Sequence, residues 1–176
     1  MRLAEDEFDP DHPNTATHLN NLAFLYKAQG NYAEAEPLFR RSLAIMEKAL
    51  GPEHPNVATS LNNLAALYRD QGDYTEAGPF YQRSLAIAEK ALGSEHPSLA
   101  PTLKGLADID RSQGNYADAE LLYQRSLALI ERTFGPEHPN VTKVLDDYAA
   151  LLREVGRDDG AAKMEDRAKA IRAKYE

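Results

Sequence analysis

The chain has 176 residues, 28 acidic against 20 basic side chains for a net charge of −8, and no cysteine. Its 43% hydrophobic content supplies enough apolar surface for a packed core and excludes the disordered class. The missing thiols exclude a disulfide framework, thiolate zinc ligation and a cysteine nucleophile. An acidic balance argues against a phosphate-tracking surface, so nucleic acid is not an expected partner. No stretch approaches the ~18 apolar residues of a membrane span, nor do the first residues form a signal segment. The expected location is the cytoplasm.

In chain order, residues 1–8 come first. Leu3-Ala4-Glu5-Asp6-Glu7-Phe8 shares the register of Ile87-Ala88-Glu89-Lys90-Ala91-Leu92 and reads as the tail of a helix from a preceding repeat. From residue 9 onward the chain is periodic. Asp11-His12-Pro13-Asn14 returns as Glu53-His54-Pro55-Asn56, Glu95-His96-Pro97-Ser98 and Glu137-His138-Pro139-Asn140, at intervals of 42. Four repeats follow, at 9–50, 51–92, 93–134 and 135–176.

Each repeat opens with Pro at a first helical position and runs through a stripe such as Leu61, Leu64, Ala65 and Tyr68, spaced i, i+3, i+4, i+7. Gly30, Gly72, Gly114 or Gly156 ends that first helix. Asn31, Asp73 and Asn115 then stand as N-caps of a second helix, with Glu34, Glu76 and Asp118 placed for a capping box. The second helix carries Leu43, Ile45 and Leu50 in repeat 1 and a recurring small residue, Ala35, Ala77, Ala119 and Ala161. Pro37 and Pro79 fall in its early turns, where a mild kink or a loosened turn is expected. Repeat 4 differs. Asp158, Glu165 and Lys169 replace apolar or aromatic positions and Arg157 replaces the cap, as suits a terminal repeat with a wetted outer face. The fold expected is all-α: a right-handed superhelix of four helix-turn-helix repeats, stacked because no single pair buries its apolar stripe alone.

The repeats resemble tetratricopeptide repeats in the 42-residue form of kinesin light chains. The resemblance rests on Leu61-Asn62-Asn63-Leu64-Ala65-Ala66-Leu67-Tyr68, Gln71-Gly72-Asp73-Tyr74-Thr75-Glu76-Ala77 and Tyr81-Gln82-Arg83-Ser84-Leu85-Ala86-Ile87, and covers 9–176. It implies a groove lined by the first helices, a ligand that is an extended peptide or partner helix, no cofactor and no enzymatic activity.

His12, His54, His96 and His138 invite a metal reading. Separation by a helix-pair width, roughly 20 Å, defeats it, and a turn or cap contact is expected instead. His18 reads as a surface substitution. Asp108, Asp110, Asp146 and Asp147 read as a solvated face, although Asp110 stands in the register of Tyr26 and Tyr68 without explanation. Asn20-Asn21 and Asn62-Asn63 are mid-helix, where Asn costs roughly half a kcal/mol against Ala. The amide offers donor and acceptor together, and the resemblance implies a clamp on a peptide backbone, with Phe24 on the same helix as part of the groove. Repeat inheritance without a ligand is the competing reading. Repeats 3 and 4 carry Lys104-Gly105 and Asp146-Asp147 in place of the asparagine pair.

A cation recurs at Lys27, Arg69, Arg111 and Arg153, joined by Lys104 and Lys143, opposite Asp70, Asp108, Asp146, Asp147 and Glu154. Over repeats 1 to 3 the balance of Lys27, Arg69, Lys104 and Arg111 against Asp70 and Asp108 points to an acidic ligand; ordinary ion pairs compete with that reading. Arg41, Arg83, Arg125 and Arg167 are read as packing through their aliphatic stems. The expected function is therefore a scaffold holding an extended, acidic protein segment. The alternatives are a homodimer through the open N-terminal face or a structural or regulatory arm of a larger protein.

Overall fold

The computed structural model describes residues 11–175; the segment 1–8 read above as a helix tail lies outside them. Among the described residues the helices are α1 (Pro13–Ala28), α2 (Tyr32–Leu50), α3 (Pro55–Gln71), α4 (Tyr74–Leu92), α5 (Ala100–Ser112), α6 (Tyr116–Phe134), α7 (Asn140–Glu154) and α8 (Asp158–Arg172), with one 3₁₀ turn at Pro97–Leu99 ahead of α5. They divide into two compact units, 1–91 and 92–176. In the first unit Phe39, Leu61, Leu64, Leu67 and Tyr81 are fully buried; in the second, Leu103, Tyr123, Leu145, Leu151 and Leu152 are. The recurring Ala35, Ala77, Ala119 and Ala161 are all completely buried, which lets the helices approach closely.

Each first helix ends in the same backbone lock. Gly72, at φ 80°, adopts the left-handed conformation that a side chain would resist. The Asp73 N–H then reaches the Tyr68 carbonyl at 2.9 Å and the Gly72 N–H reaches that of Arg69 at 2.9 Å, the paired bonds of a Schellman motif. The same bonds close the helices at Gly30, Gly114 and Gly156. Of the three expected side-chain caps, one forms. Asp73 Oδ1 accepts from the Glu76 N–H at 3.1 Å, whereas Asn31 and Asn115 make no cap bond. Their backbone near φ −80°, ψ +60° is not the extended conformation of an N-cap, and their amides turn back to Gln29 and Gln113. Pro37 and Pro79 lie inside α2 and α4 without interrupting either.

The histidines are helix caps. His54 Nδ1 accepts from the Asn56 N–H at 3.1 Å, and His12, His96 and His138 do the same for the N–H two residues on. Pro13 and Pro55 take first helical positions. Pro97 opens the 3₁₀ turn and Pro139 precedes α7, so repeats 3 and 4 start their first helices later.

Three side-chain ties recur within or between the helix pairs. Ser42, Ser84 and Ser126 donate to the carbonyls of Ala16, Ala58 and Ala100 at 2.7–2.8 Å, joining the second helix to the first. The acidic residue before each His-Pro pairs with a base thirty-seven residues on, as in Lys90–Glu53 at 3.3 Å and Lys174–Glu137 at 2.7 Å; exposed, these pairs each contribute at most ~1 kcal/mol. Arg83, Arg125 and Arg167 donate to the carbonyls of Pro52, Ser94 and Pro136 in the turns between helix pairs, while Arg83 and Arg167 also pair with Glu47 and Glu131 at 2.6 Å. Stem packing is thus the lesser part of their role.

Replacing His54 with Ala leaves one N–H of α3 without its acceptor and is expected to cost about 1 kcal/mol. His54→Asp, which restores an acceptor, is expected to recover it, both measured by urea unfolding followed by circular dichroism.

Candidate functional site

In unit 1 the first helices α1 and α3 face each other through pairs of side chains forty-three positions apart. One repeat is 42 residues, and the extra residue turns the contact about 100° around the helix, from one flank of α1 to the opposite flank of α3. Asn63 Nδ2 donates to Asn20 Oδ1 at 3.0 Å. Two helical turns further along, Lys27 Nζ lies 2.8 Å from Asp70 Oδ2. Arg69 reaches Asp70 Oδ1 at 2.8 Å, so two cations share one carboxylate. Burial pushes the Asp70 carboxyl up, but hydrogen bonds from Lys27 and Arg69 outweigh it and hold the group below its ordinary value. Phe24 packs edge-on against Phe39 of α2, with centroids 5.3 Å apart at 88°, and remains 42% exposed. Asn21 is exposed on α1 and Asn62 half-buried on α3.

Unit 2 repeats the pairing with other chemistry. Lys104 and Asp147 occupy the places of Asn20 and Asn63, again forty-three apart, and Nζ lies 2.5 Å from Oδ2. That contact is ionic, with no hydrogen bond aligned along it. Lys104 also donates to Asp108 at 2.9 Å, and Tyr123 donates to Asp108 Oδ1 at 2.7 Å. Lys104 is 8% exposed, so Asp108 and Asp147 are counter-charges to a buried ammonium and not a solvated face. Burial, followed by the charge of Asp108, pushes the Tyr123 phenol far up. Arg111 stands in the place of Lys27. It donates to the Asp147 carbonyl at 3.2 Å and lies 3.6 Å from Glu154.

Within each unit a second contact ties the second helix of one repeat to the first helix of the next. Tyr68 donates to Glu36 at 2.6 Å, accepts from Arg40 and stacks on Phe80 with centroids 5.9 Å apart. Desolvation and the Glu36 bond push its phenol up to about 12. In unit 2 Tyr148 takes this part from a position one helical turn earlier in the repeat, donating to Glu120 at 2.6 Å. Glu120 is also held by Arg157 at 2.7 Å, which gives a role to the residue that replaced the Asn of the turn. Asp110 sits in the Tyr68 register; its carbonyl closes the Schellman turn from Asn115 at 2.8 Å and its carboxylate accepts from the Asn115 amide at 3.4 Å. Burial raises its carboxyl above the ordinary value.

The structure therefore brings Asn20 with Asn63, Lys27 with Arg69, and Lys104 with Asp108 and Arg111, within their own units. Of the residues expected to meet a ligand, Asn20, Lys27, Asn63, Arg69, Lys104 and Arg111 already contact neighbouring helices or side chains. The sequence reading missed that pairing, although the forty-three-residue spacing of amide with amide and cation with anion was its visible sign. Arg153 belongs to α8 contacts, binding Glu165 through two bonds of 2.6 and 2.8 Å, and Asp146 pairs with Arg172. No cluster among the described residues could hold a metal ion.

The tetratricopeptide repeat family model matches residues 1–48, 14–77, 57–131 and 110–174. Among solved structures, the nearly identical TPR-like repeats assigned to a kinesin light chain of Podosopora anserina are 30% identical, over 93% of this chain and 77% of that one, with a TM-score of 0.78. BtubC (BKLC) from P. vanneervenii aligns over 96% of this chain and 68% of its own, at 24% identity and a TM-score of 0.79. Aspartyl phosphate phosphatase F from Bacillus subtilis aligns over 93% of this chain and 41% of its own, at 17% identity and a TM-score of 0.77. These last two share the fold. Among curated proteins no sequence match is found.

Removing one member of a buried charge cluster strands its partners, at a cost of about 3 kcal/mol or more. Lys104→Ala is expected to lose that much in urea unfolding. Lys104→Asn with Asp147→Asn, which recreates the amide pair of unit 1 but leaves Asp108 without its ammonium, is expected to regain the part lost at Asp147 only.

Proposed function

The chain belongs to the tetratricopeptide repeat family, a class of protein-interaction scaffolds, and from that premise we propose that its unit 1 holds an extended acidic segment of a partner protein along the face of α1 and α3. The observation that carries the reading is the sharing of Asp70 by Lys27 and Arg69. Two cations and one carboxylate thus stand together on the face of unit 1, within a chain of net charge −8. The face of unit 2 has the opposite excess, Lys104 and Arg111 standing against Asp108, Asp147 and Glu154. A ligand carboxylate is attracted to Lys27 and Arg69. Phe24 lies one turn away and offers an apolar surface beside it. The amides of Asn20 and Asn63 each retain one polar group after bonding to each other, an NH₂ on Asn20 and a carbonyl on Asn63, enough to meet one peptide unit.

By fluorescence anisotropy at low salt, glutamate-rich peptides are expected to bind about tenfold tighter than their lysine counterparts, a difference of about 1.4 kcal/mol. Arg69→Glu is expected to abolish the preference, and added salt to shrink it.

A second reading is self-association through α1. Leu22 and Leu25 are 43% and 61% exposed, whereas Leu64 and Leu67 in the same register of α3 are fully buried. A hollow of about 320 Å³ beside Leu22 is lined by Thr15, His18 and Leu19. A second copy would cover this face. Sedimentation velocity is then expected to show a dimer that Leu22→Asp converts to monomer.

A further inference from the structure

Between the first halves of α1 and α3, above the C-terminal half of α2, lies a cavity of about 250 Å³. Its floor is Ala16 and Met46, and no charged side chain lines it. Four hydroxyls reach it, and all four spend their proton on a helix carbonyl. Ser42 donates to Ala16 at 2.8 Å, Ser60 to Asn56 at 3.2 Å, Thr17 to Pro13 at 3.2 Å and Thr59 to Pro55 at 3.5 Å. A hydroxyl has one proton and two lone pairs, so once its proton is committed it meets a ligand as an acceptor. The Asn20–Asn63 hydrogen bond closes one end and leaves the Asn63 carbonyl as a further acceptor and the Asn20 NH₂ as a donor, with the Asn56 amide also on the wall. In a neutral cavity with more acceptors than donors, a carboxylate answers only the amide donors and an aliphatic group answers neither donors nor lone pairs, whereas a primary amide meets both. A lysine ammonium would enter without a counter-ion on any wall.

We propose that this cavity is the specificity pocket of the unit 1 face, taking one uncharged, hydrogen-bond-donating side chain of the bound segment, a primary amide above all. The inference rests on the acidic-segment reading and adds a second anchor to it. Asn20 and Lys27 are seven residues apart on α1, about 10.5 Å at 1.5 Å per residue. An extended chain spans that distance in three or four residues at ~3.3 Å each. The preferred segment therefore carries an Asn or Gln three or four residues from a Glu or Asp.

The experiment uses the full chain and fluorescein-labelled nine-residue peptides with one fixed glutamate. The residue three or four positions away is Asn, Gln, Ala, Leu or Lys, the remainder being alanine and glycine. Asn or Gln is expected to bind about tenfold tighter than Ala, Leu or Lys. Thr17→Val with Thr59→Val keeps side-chain shape and removes two of the acceptors, and is expected to reduce the amide preference by weakening the Asn and Gln peptides more than the alanine peptide. Equal affinity for amide and aliphatic peptides overturns the pocket, as does a double variant that weakens all peptides alike. Loss of the glutamate dependence with a retained amide preference overturns the acidic reading and leaves the pocket standing. Binding of none of the peptides overturns both.

Discussion

Neighbouring first helices within each unit are held in register by side chains forty-three positions apart, and much of the polar chemistry of these faces is committed to that contact. A 42-residue repeat places equivalent residues on equivalent sides of successive helices; one residue more brings opposite flanks together. At the first rung unit 1 uses amide with amide and unit 2 uses ammonium with carboxylate. At the second rung both use a cation with an anion. The groove side chains are thus structural before they are functional, and a ligand meets what the rungs leave over. The cations Lys27 and Arg69 mark the unit 1 face, and the carboxylates of Asp108, Asp147 and Glu154 that of unit 2. The two faces are unequal because the charges were assigned to helix pairing in different proportions.

The remaining contacts set the geometry in which the rungs can form. Schellman turns fix the angle at which the second helix leaves the first. The serine-to-carbonyl bonds join the two helices of repeats 1 to 3; in repeat 4 the equivalent residue is the buried Ala168, where an alanine leaves no polar atom to satisfy. Tyr68 connects α2 to α3 through Glu36, and Tyr148 connects α6 to α7 through Glu120. Burial and the adjoining carboxylate raise both phenols, which keeps them neutral donors throughout the physiological range.

Much of this was legible in the sequence. The 42-residue period, the helix ends at Gly30, Gly72, Gly114 and Gly156, and the structural role of the histidines all follow from local residue chemistry. The expected capping boxes at Asn31 and Asn115 do not form because their amides bond back to Gln29, Gln113 and Asp110, a competition between neighbours that local motifs do not weigh. Lys104, Asp108 and Asp147 read as solvent-facing since charged residues usually are; only the approach of α5, α6 and α7 shows that they neutralise one another. The role of Tyr148 was hidden because it lies one turn away from the tyrosine it replaces, outside the repeat register that a comparison of equivalent positions follows.

The most direct test of these paired faces is an amide ¹H–¹⁵N titration of the full chain with a glutamate-containing peptide, following backbone signals and the Asn20 and Asn63 side-chain amides. The account predicts that the Asn63 amide protons exchange slowly before any peptide is added, and that shifts on titration concentrate between Thr17 and Asp70. Fast exchange at Asn63 in the free protein, or shifts centred on α7 and α8, would contradict it.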